Sequence, residues 1–222
     1  MSNYLIPIIT GLLFLLLVIY VNFNHIKNSS TSPTKTVKTS ISIAKPTTKI
    51  YKKEVVNKIP PQNTGLIKLT MSVVKYYRYD KPYILLVDYT KPLTVPRLYV
   101  YRLKDYKCVF QTEVSQGYSP PFSNKTESRQ SSIGVYKTGA LYEGKHGTSR
   151  LLYGLDLGHN DKVFKRQIVI HSAPYIGNGK SGHSWGCLAV PLEAIKTILD
   201  YTQPNTLIIG YYPSNLWLKY EK

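Results

Sequence analysis

The chain has 222 residues, 43% of them hydrophobic, which allows one ordinary domain with a real core plus some extra sequence. Two cysteines exclude a disulfide framework and leave one bridge, two free thiols or one reactive thiol open. The formal net charge of +17 needs an explanation, and the 20 tyrosines suit strands and clefts, where the ring packs and the hydroxyl reaches water or ligand.

The first element is an uncharged apolar run from Tyr4 to Phe23, "YLIPIITGLLFLLLVIYVNF". As a helix its 20 residues would span roughly 30 Å, the thickness of a bilayer core. A secretory signal has a shorter apolar stretch, about 7–15 residues, ending near small residues. Here the run is too long, and "NHIKNSSTSP" offers only a weak cleavage site. Residues 1–23 are therefore expected to be an uncleaved membrane anchor. Residues 1–3 carry no Lys or Arg, whereas Lys27, Lys35 and Lys38 follow the span. By the positive-inside rule this bias alone would put the bulk of the protein in the cytoplasm.

Residues 24–64 are rich in Ser, Thr, Lys and Pro, with seven lysines after Lys27, from Lys35 to Lys58, against one acid, Glu54. Such a segment buries too little apolar surface to offset its ordering entropy and is predicted to be a linker. It also carries much of the charge excess. It serves either as a spacer extended by self-repulsion or as a basic stalk for anionic lipid or wall polymer.

Residues 65–222 are expected to form one mainly β domain with one or two helices. "YILLVDY", "RLYVYRL", "KCVFQTEV", "SIGVYKTG", "RQIVIHS" and "TLIIGYY" are strand candidates separated by turn-rich connectors. The clearest helix is "PLEAIKTILDYTQP": Pro191 suits a first turn, Glu193 suits the positive helix end, and the apolar residues recur at helical spacing. It is expected directly after the glycine-rich stretch "GHSWGC", residues 182–187.

That stretch holds the candidate chemistry. A cysteine nucleophile needs a base or cation favouring the thiolate, backbone donors for an oxyanion, and room for substrate. Cys187 follows Gly186, whose lack of a side chain lets a carbonyl approach backbone amides. His171 ends a strand 16 residues earlier, and a hairpin-like return would bring it beside Cys187. Packing alone also explains a cysteine, and it suits Cys108 in "YKCVFQ" well. A zinc site from His171, His183 and Cys187 is a third reading, although C-x-x-C and H-E-x-x-H patterns are absent. Spacing leaves catalysis, metal binding and structure open.

The stretch "IVIHSAPYIGNGKSGHSWGCLAVP" resembles the L,D-transpeptidase (YkuD-like) catalytic domain, whose motif is a histidine, a spacer and then Ser-His-Gly-Cys. It is most similar to the divergent murein L,D-transpeptidase catalytic domain branch, which reads Gly-Arg-Ser-x-Gly-Cys-Pro-Ala. "VDYTKPLTVPRLYVYRL" and "FSNKTESRQSSIGVYKTGALYEGKHGTSRLLYGLDLGHND" resemble that branch as well, so the likeness runs over roughly residues 84–212.

The resemblance implies a YkuD-like β-sandwich or barrel. It makes Cys187 the nucleophile, His171 its base, and Gly186, with the Cys187 amide, the oxyanion-stabilising turn. Ser184, Trp185, His183, Tyr142, Lys145 and His146 are the implied substrate contacts. Several positions depart from the pattern. Trp185 stands where the main family has histidine, and Ala189 where it has arginine. His183 replaces the branch's arginine, Leu188 its proline, and Ser172 the glycine after the base. Nucleophile and base remain, while substrate preference is open to change.

The implied activity is acyl transfer on peptidoglycan stem peptides through a Cys187 thioester, with an amine acceptor giving a cross-link and water giving an L,D-carboxypeptidase. No metal or other cofactor is required, and no protein partner is indicated. Peptidoglycan lies outside the cytoplasmic membrane, so the catalytic domain is expected to be extracytoplasmic, tethered by residues 4–23, against the lysine bias. A catalytically silent wall-binding module is the non-enzymatic alternative. A nucleic-acid partner is not expected, because much of the charge lies in the linker and no nucleic-acid motif is present.

Overall fold

The computed structural model describes residues 63–221. The expected anchor at 4–23 and nearly all of the 24–64 linker lie outside the described residues. Among the described residues, no helix is long and apolar enough to cross a membrane.

The described chain opens with helix α1, Thr64–Tyr76, which sequence reading did not mark. Asn63 caps it by accepting from the Gly65 amide at 3.0 Å. Leu66, Thr70 and Val73 recur at helical spacing and form its buried face. Thr70 returns its hydroxyl to the Leu66 carbonyl at 2.8 Å, so a buried polar side chain is satisfied within the helix.

Strands β1 (Tyr83–Asp88), β2 (Leu98–Arg102) and β3 (Lys107–Thr112) follow. The long hairpin β4 (Gly134–Gly144) and β5 (Gly147–Gly154) is next. Strand β6 (Val169–Ser172), a two-residue-strand hairpin β7 (Ile176–Gly177) and β8 (Lys180–Ser181), and β9 (Leu188–Val190) complete the site region. Helix α2 (Ile195–Tyr201), β10 (Leu207–Tyr211) and a 3-10 helix, Asn215–Tyr220, end the fold.

Eight strands make one sheet in the order β3-β2-β1-β10-β4-β5-β6-β9. The pairs β1–β10 and β6–β9 are parallel and the others antiparallel. The central strand β1, "YILLVD", is buried on both faces, as a continuous apolar run requires. Ile84 and Leu86 point to one cluster with Tyr99, Val135 and Ile209; α1 and the 3-10 helix residues Leu216, Trp217 and Tyr220 cover it. Asp156 fastens that cover: it accepts from the Val135 amide at 2.6 Å and the Tyr220 hydroxyl at 2.7 Å, and pairs with Lys219.

Leu85 and Val87 point the other way, into a cluster shared with Val100 of β2, Leu152 of β5, Ile170 of β6, Leu188 of β9 and Ile198 of α2. Strands from both ends of the sheet thus bury side chains in one core, so the sheet is curled. Its ends also meet through the backbone. Ser115, just beyond β3, donates its amide to the Ala189 carbonyl of β9 at 2.7 Å. The mainly β core with few helices agrees with the sequence-based expectation.

Two expectations need correction. No helix follows Cys187 directly: β9 intervenes, because Leu188–Val190 is fully buried against β6. The helix starts only at Ile195, since Pro191 to Ala194 form a turn in which the Ala194 amide donates to the Pro191 carbonyl at 3.0 Å. The return from His171 to Cys187 is also not a simple hairpin. Strands β6 and β9 run parallel, and the 173–187 connection, which contains β7 and β8, is long enough for the crossover that parallel pairing demands.

Candidate active site

The site is built on that parallel pair. Ile170 lies opposite Leu188, His171 opposite Ala189, and Ser172 opposite Val190. Cys187 therefore stands immediately before the strand that lies against the one carrying His171.

His171 is 2% exposed. Its Nδ1 lies 2.8 Å from the Ser172 carbonyl. A carbonyl only accepts, so Nδ1 carries the proton and the lone pair sits on Nε2. His146, at the tip of the β4–β5 hairpin, stacks on this ring with centroids 4.1 Å apart and planes 18° apart. The Ser172 hydroxyl donates to the His146 carbonyl at 3.4 Å, tying the hairpin tip to β6. Burial holds the His171 pKa below its ordinary value, with His146 and Lys145 adding to the effect, while the Ser172 hydrogen bond pulls the other way. Burial, then Lys145, lowers His146 as well.

Cys187 is half-buried and packs against the main core. Its thiol donates to the Gln167 carbonyl at 3.7 Å. Burial pushes the thiol pKa up; the Val169 amide, the Arg166 guanidinium and Lys145 oppose this. The resting pair is accordingly a thiol and a neutral imidazole. The thiol's hydrogen bond runs to Gln167 and the imidazole's to Ser172, and no hydrogen bond joins the two side chains.

The turn before Cys187 is locked at Gly186, whose φ is +112°. A Cβ there would stand 2.7 Å from the Gln130 carbonyl oxygen and 2.9 Å from Ile168 Cδ1, so only glycine fits. Ser184 is buried, and its hydroxyl accepts from the Gly186 amide at 3.1 Å while donating to the Cys187 carbonyl at 2.7 Å. The sequence placed Ser184 among substrate contacts; its hydroxyl is instead spent inside the turn. The Gly186 amide is engaged by it too, so of the two turn amides singled out in the sequence only that of Cys187 is not held by Ser184. Ser131 adds a hydrogen bond to the Gly186 carbonyl at 3.4 Å.

The segment after β3 clamps the same loop. The Ser184 amide donates to the Gln116 carbonyl at 2.8 Å, and the Ser115 hydroxyl donates to the Gly182 carbonyl at 2.7 Å. Buried Arg97 holds this clamp in place, donating from Nε to the Val114 carbonyl and from a terminal nitrogen to Gln116 Oε1, each at 2.9 Å.

His183 stacks on Tyr118 at 5.3 Å, with Nδ1 3.2 Å from the Gly117 carbonyl. Trp185 is 65% exposed, with the Arg129 guanidinium 4.4 Å from its ring centroid. Lys145 and His146 sit at the hairpin tip, and both act electrostatically on His171. Tyr142 lies on β4, where its ring edge covers Gly144. Among the described residues, no group of three or more His, Cys, Asp or Glu could hold a metal ion.

Sequence reasoning missed Arg166 and Tyr175. Arg166 donates to the Ser123 and Gln130 carbonyls and to the Ser128 and Ser132 hydroxyls, fixing the loop that backs Gly186. Burial, and after it the neighbouring Cys187, pushes the Tyr175 hydroxyl up to about 12. Arg166 lies between elements and carries no motif. Tyr175, in "SAPYIG", was marked only by its place in the loop between His171 and Cys187.

Fold and site together define a mainly β domain with a cysteine–histidine pair at one end of a parallel strand pair. The chain belongs to the L,D-transpeptidase catalytic domain family: the family model of that description, YkuD_2, matches residues 61–211. Among solved structures, an L,D-transpeptidase from Mycobacterium smegmatis is 14% identical, with 59% of each chain covered and a TM-score of 0.40. The helical cell shape determining protein Pgp2 from Campylobacter jejuni is 18% identical, with 67% of this chain and 57% of that one covered and a TM-score of 0.43. An L,D-transpeptidase from Xylanimonas cellulosilytica is 17% identical, with 60% and 62% covered and a TM-score of 0.39. The chain thus spans less than two thirds of the length of each. No curated protein matches it.

Proposed function

We propose that the chain is a cysteine-dependent L,D-transpeptidase acting on peptidoglycan stem peptides. The observation that carries this reading is the His171 ring: with Nδ1–H on the Ser172 carbonyl, Nε2 is an unprotonated base on the strand beside Cys187. The Cys187 sulfur attacks the carbonyl of the third stem residue while His171 Nε2 takes the thiol proton. The Cys187 amide stabilises the oxyanion. On collapse the C–N bond breaks, His171 returns the proton to the departing D-amino acid, and a thioester remains. An amine of a second stem then attacks the thioester, losing its proton to His171, and the thiol is regenerated with a new peptide bond. Water in place of the amine gives the L,D-carboxypeptidase reaction.

The substrate places the domain outside the cytoplasmic membrane, tethered by residues 4–23. The test is incubation of the protein with tetrapeptide muropeptides, with products followed by mass spectrometry. Cross-linked dimers are expected for the wild type and neither dimers nor tripeptides for Cys187→Ala. Unchanged turnover by that variant would overturn the reading.

A further inference from the structure

The cations around the nucleophile turn are not alike. Arg97 is buried and engaged with backbone and Gln116, and Arg166 is occupied by four neutral acceptors. Arg129 is exposed and, among the described residues, its guanidinium has neither a hydrogen bond nor an ion pair. It is nevertheless held in place. The guanidinium lies over the Trp185 indole, 4.4 Å from the ring centroid. Its backbone is pinned, since the Arg129 carbonyl accepts from the Tyr118 amide at 2.9 Å and packs where a Gly117 side chain would stand. The next two residues reach the turn itself: the Gln130 carbonyl lies against Gly186, and the Ser131 hydroxyl donates to the Gly186 carbonyl. Trp185 in turn is two residues from Cys187. A planar fork of donors, oriented by the aromatic face of a residue two positions before the nucleophile and without an ion pair among the described residues, matches the geometry of a carboxylate.

We propose that Arg129, laid on Trp185, binds a free carboxylate of the stem peptide and so selects stems whose carboxylate is not amidated. This rests on the stem-peptide reading above. The indole orients the fork, so that a bidentate contact costs little side-chain entropy.

The test compares free and amidated forms of donor and acceptor stems, each amidated in turn, with wild type, Arg129→Gln, Arg129→Lys and Trp185→Phe. The wild type should turn over the free form about 10- to 100-fold more efficiently in kcat/KM, the loss lying mainly in KM. Arg129→Gln should abolish that preference, bringing kcat/KM for the free form down to that for the amidated form measured with the same variant. Arg129→Lys should restore it in part, because a point charge lacks the fork, and Trp185→Phe should weaken it. The arm in which amidation matters shows whether donor or acceptor supplies the carboxylate. Equal wild-type turnover of free and amidated stems overturns the proposal, as does a preference that survives in Arg129→Gln. Absence of wild-type turnover on every stem would sink the transpeptidase reading instead.

Discussion

The His146 ring stacks on the His171 ring with centroids 4.1 Å apart, so a residue at a hairpin tip shields the proposed base from water. Because burial is the main reason the His171 pKa lies below its ordinary value, the acid limb of kcat/KM should fall below about 6.5. His146→Ala should raise that limb by exposing His171, while His146→Phe, which keeps the stack, should leave it low. A limb unmoved in the alanine variant would show that the stack does not tune the base.

The same shift has a sign for stability. With folded pKa values depressed, the unfolded chain binds more protons below about 6.5, so stability is full above that value and falls as pH drops. Denaturant midpoints should decline from pH 7.5 to pH 5, and His171→Asn should flatten the decline. Parallel curves for variant and wild type would contradict this.

Gly186→Ala must place a methyl group 2.7 Å from the Gln130 carbonyl oxygen at φ +112°. Strain and overpacking together should cost about 2–5 kcal/mol, read by chemical denaturation, and turnover should be lost.

Ser184→Ala removes the hydroxyl that bridges the Gly186 amide and the Cys187 carbonyl, leaving buried groups unpaired. The expected cost is about 1–3 kcal/mol of stability, with a lower kcat and little change in KM if the residue shapes the turn and does not touch substrate. A change confined to KM would restore it as a substrate contact.

Cys108 belongs to the cluster under α1, while Cys187 packs against the core on the opposite face of the sheet. No intramolecular disulfide should form under oxidation, and peptide mapping should find both thiols free. Native alkylation should modify Cys187 before buried Cys108, and faster as pH rises towards the elevated thiol pKa.

Strands β1, β2 and β10 were legible because each is a short apolar run bounded by turn residues. Strand β9 was not: three residues are too few to show a period, and the helix signal of Pro191 and Glu193 overran them. Helix α1 escaped notice beside the polar linker. In the site, Cys187, His171 and Gly186 form one sequence-local pattern and could be picked out. Arg129, Arg166 and Tyr118 come from loops whose placement depends on the curl of the sheet, which no local pattern encodes. His146 lies between these cases: its segment was marked by resemblance, but its stack on His171 depends on how far the β4–β5 hairpin reaches.

The bridge from the Ser115 amide to the Ala189 carbonyl occupies the outer side of the strand that follows the nucleophile. A sheet edge left bare there would let an extended peptide, or a second copy of the chain, add itself as another strand through main-chain hydrogen bonds alone. An extended segment pairing with that strand would have to displace the Ser115 amide from Ala189, so the curl of the sheet protects the edge next to Cys187 with a single residue from beyond β3.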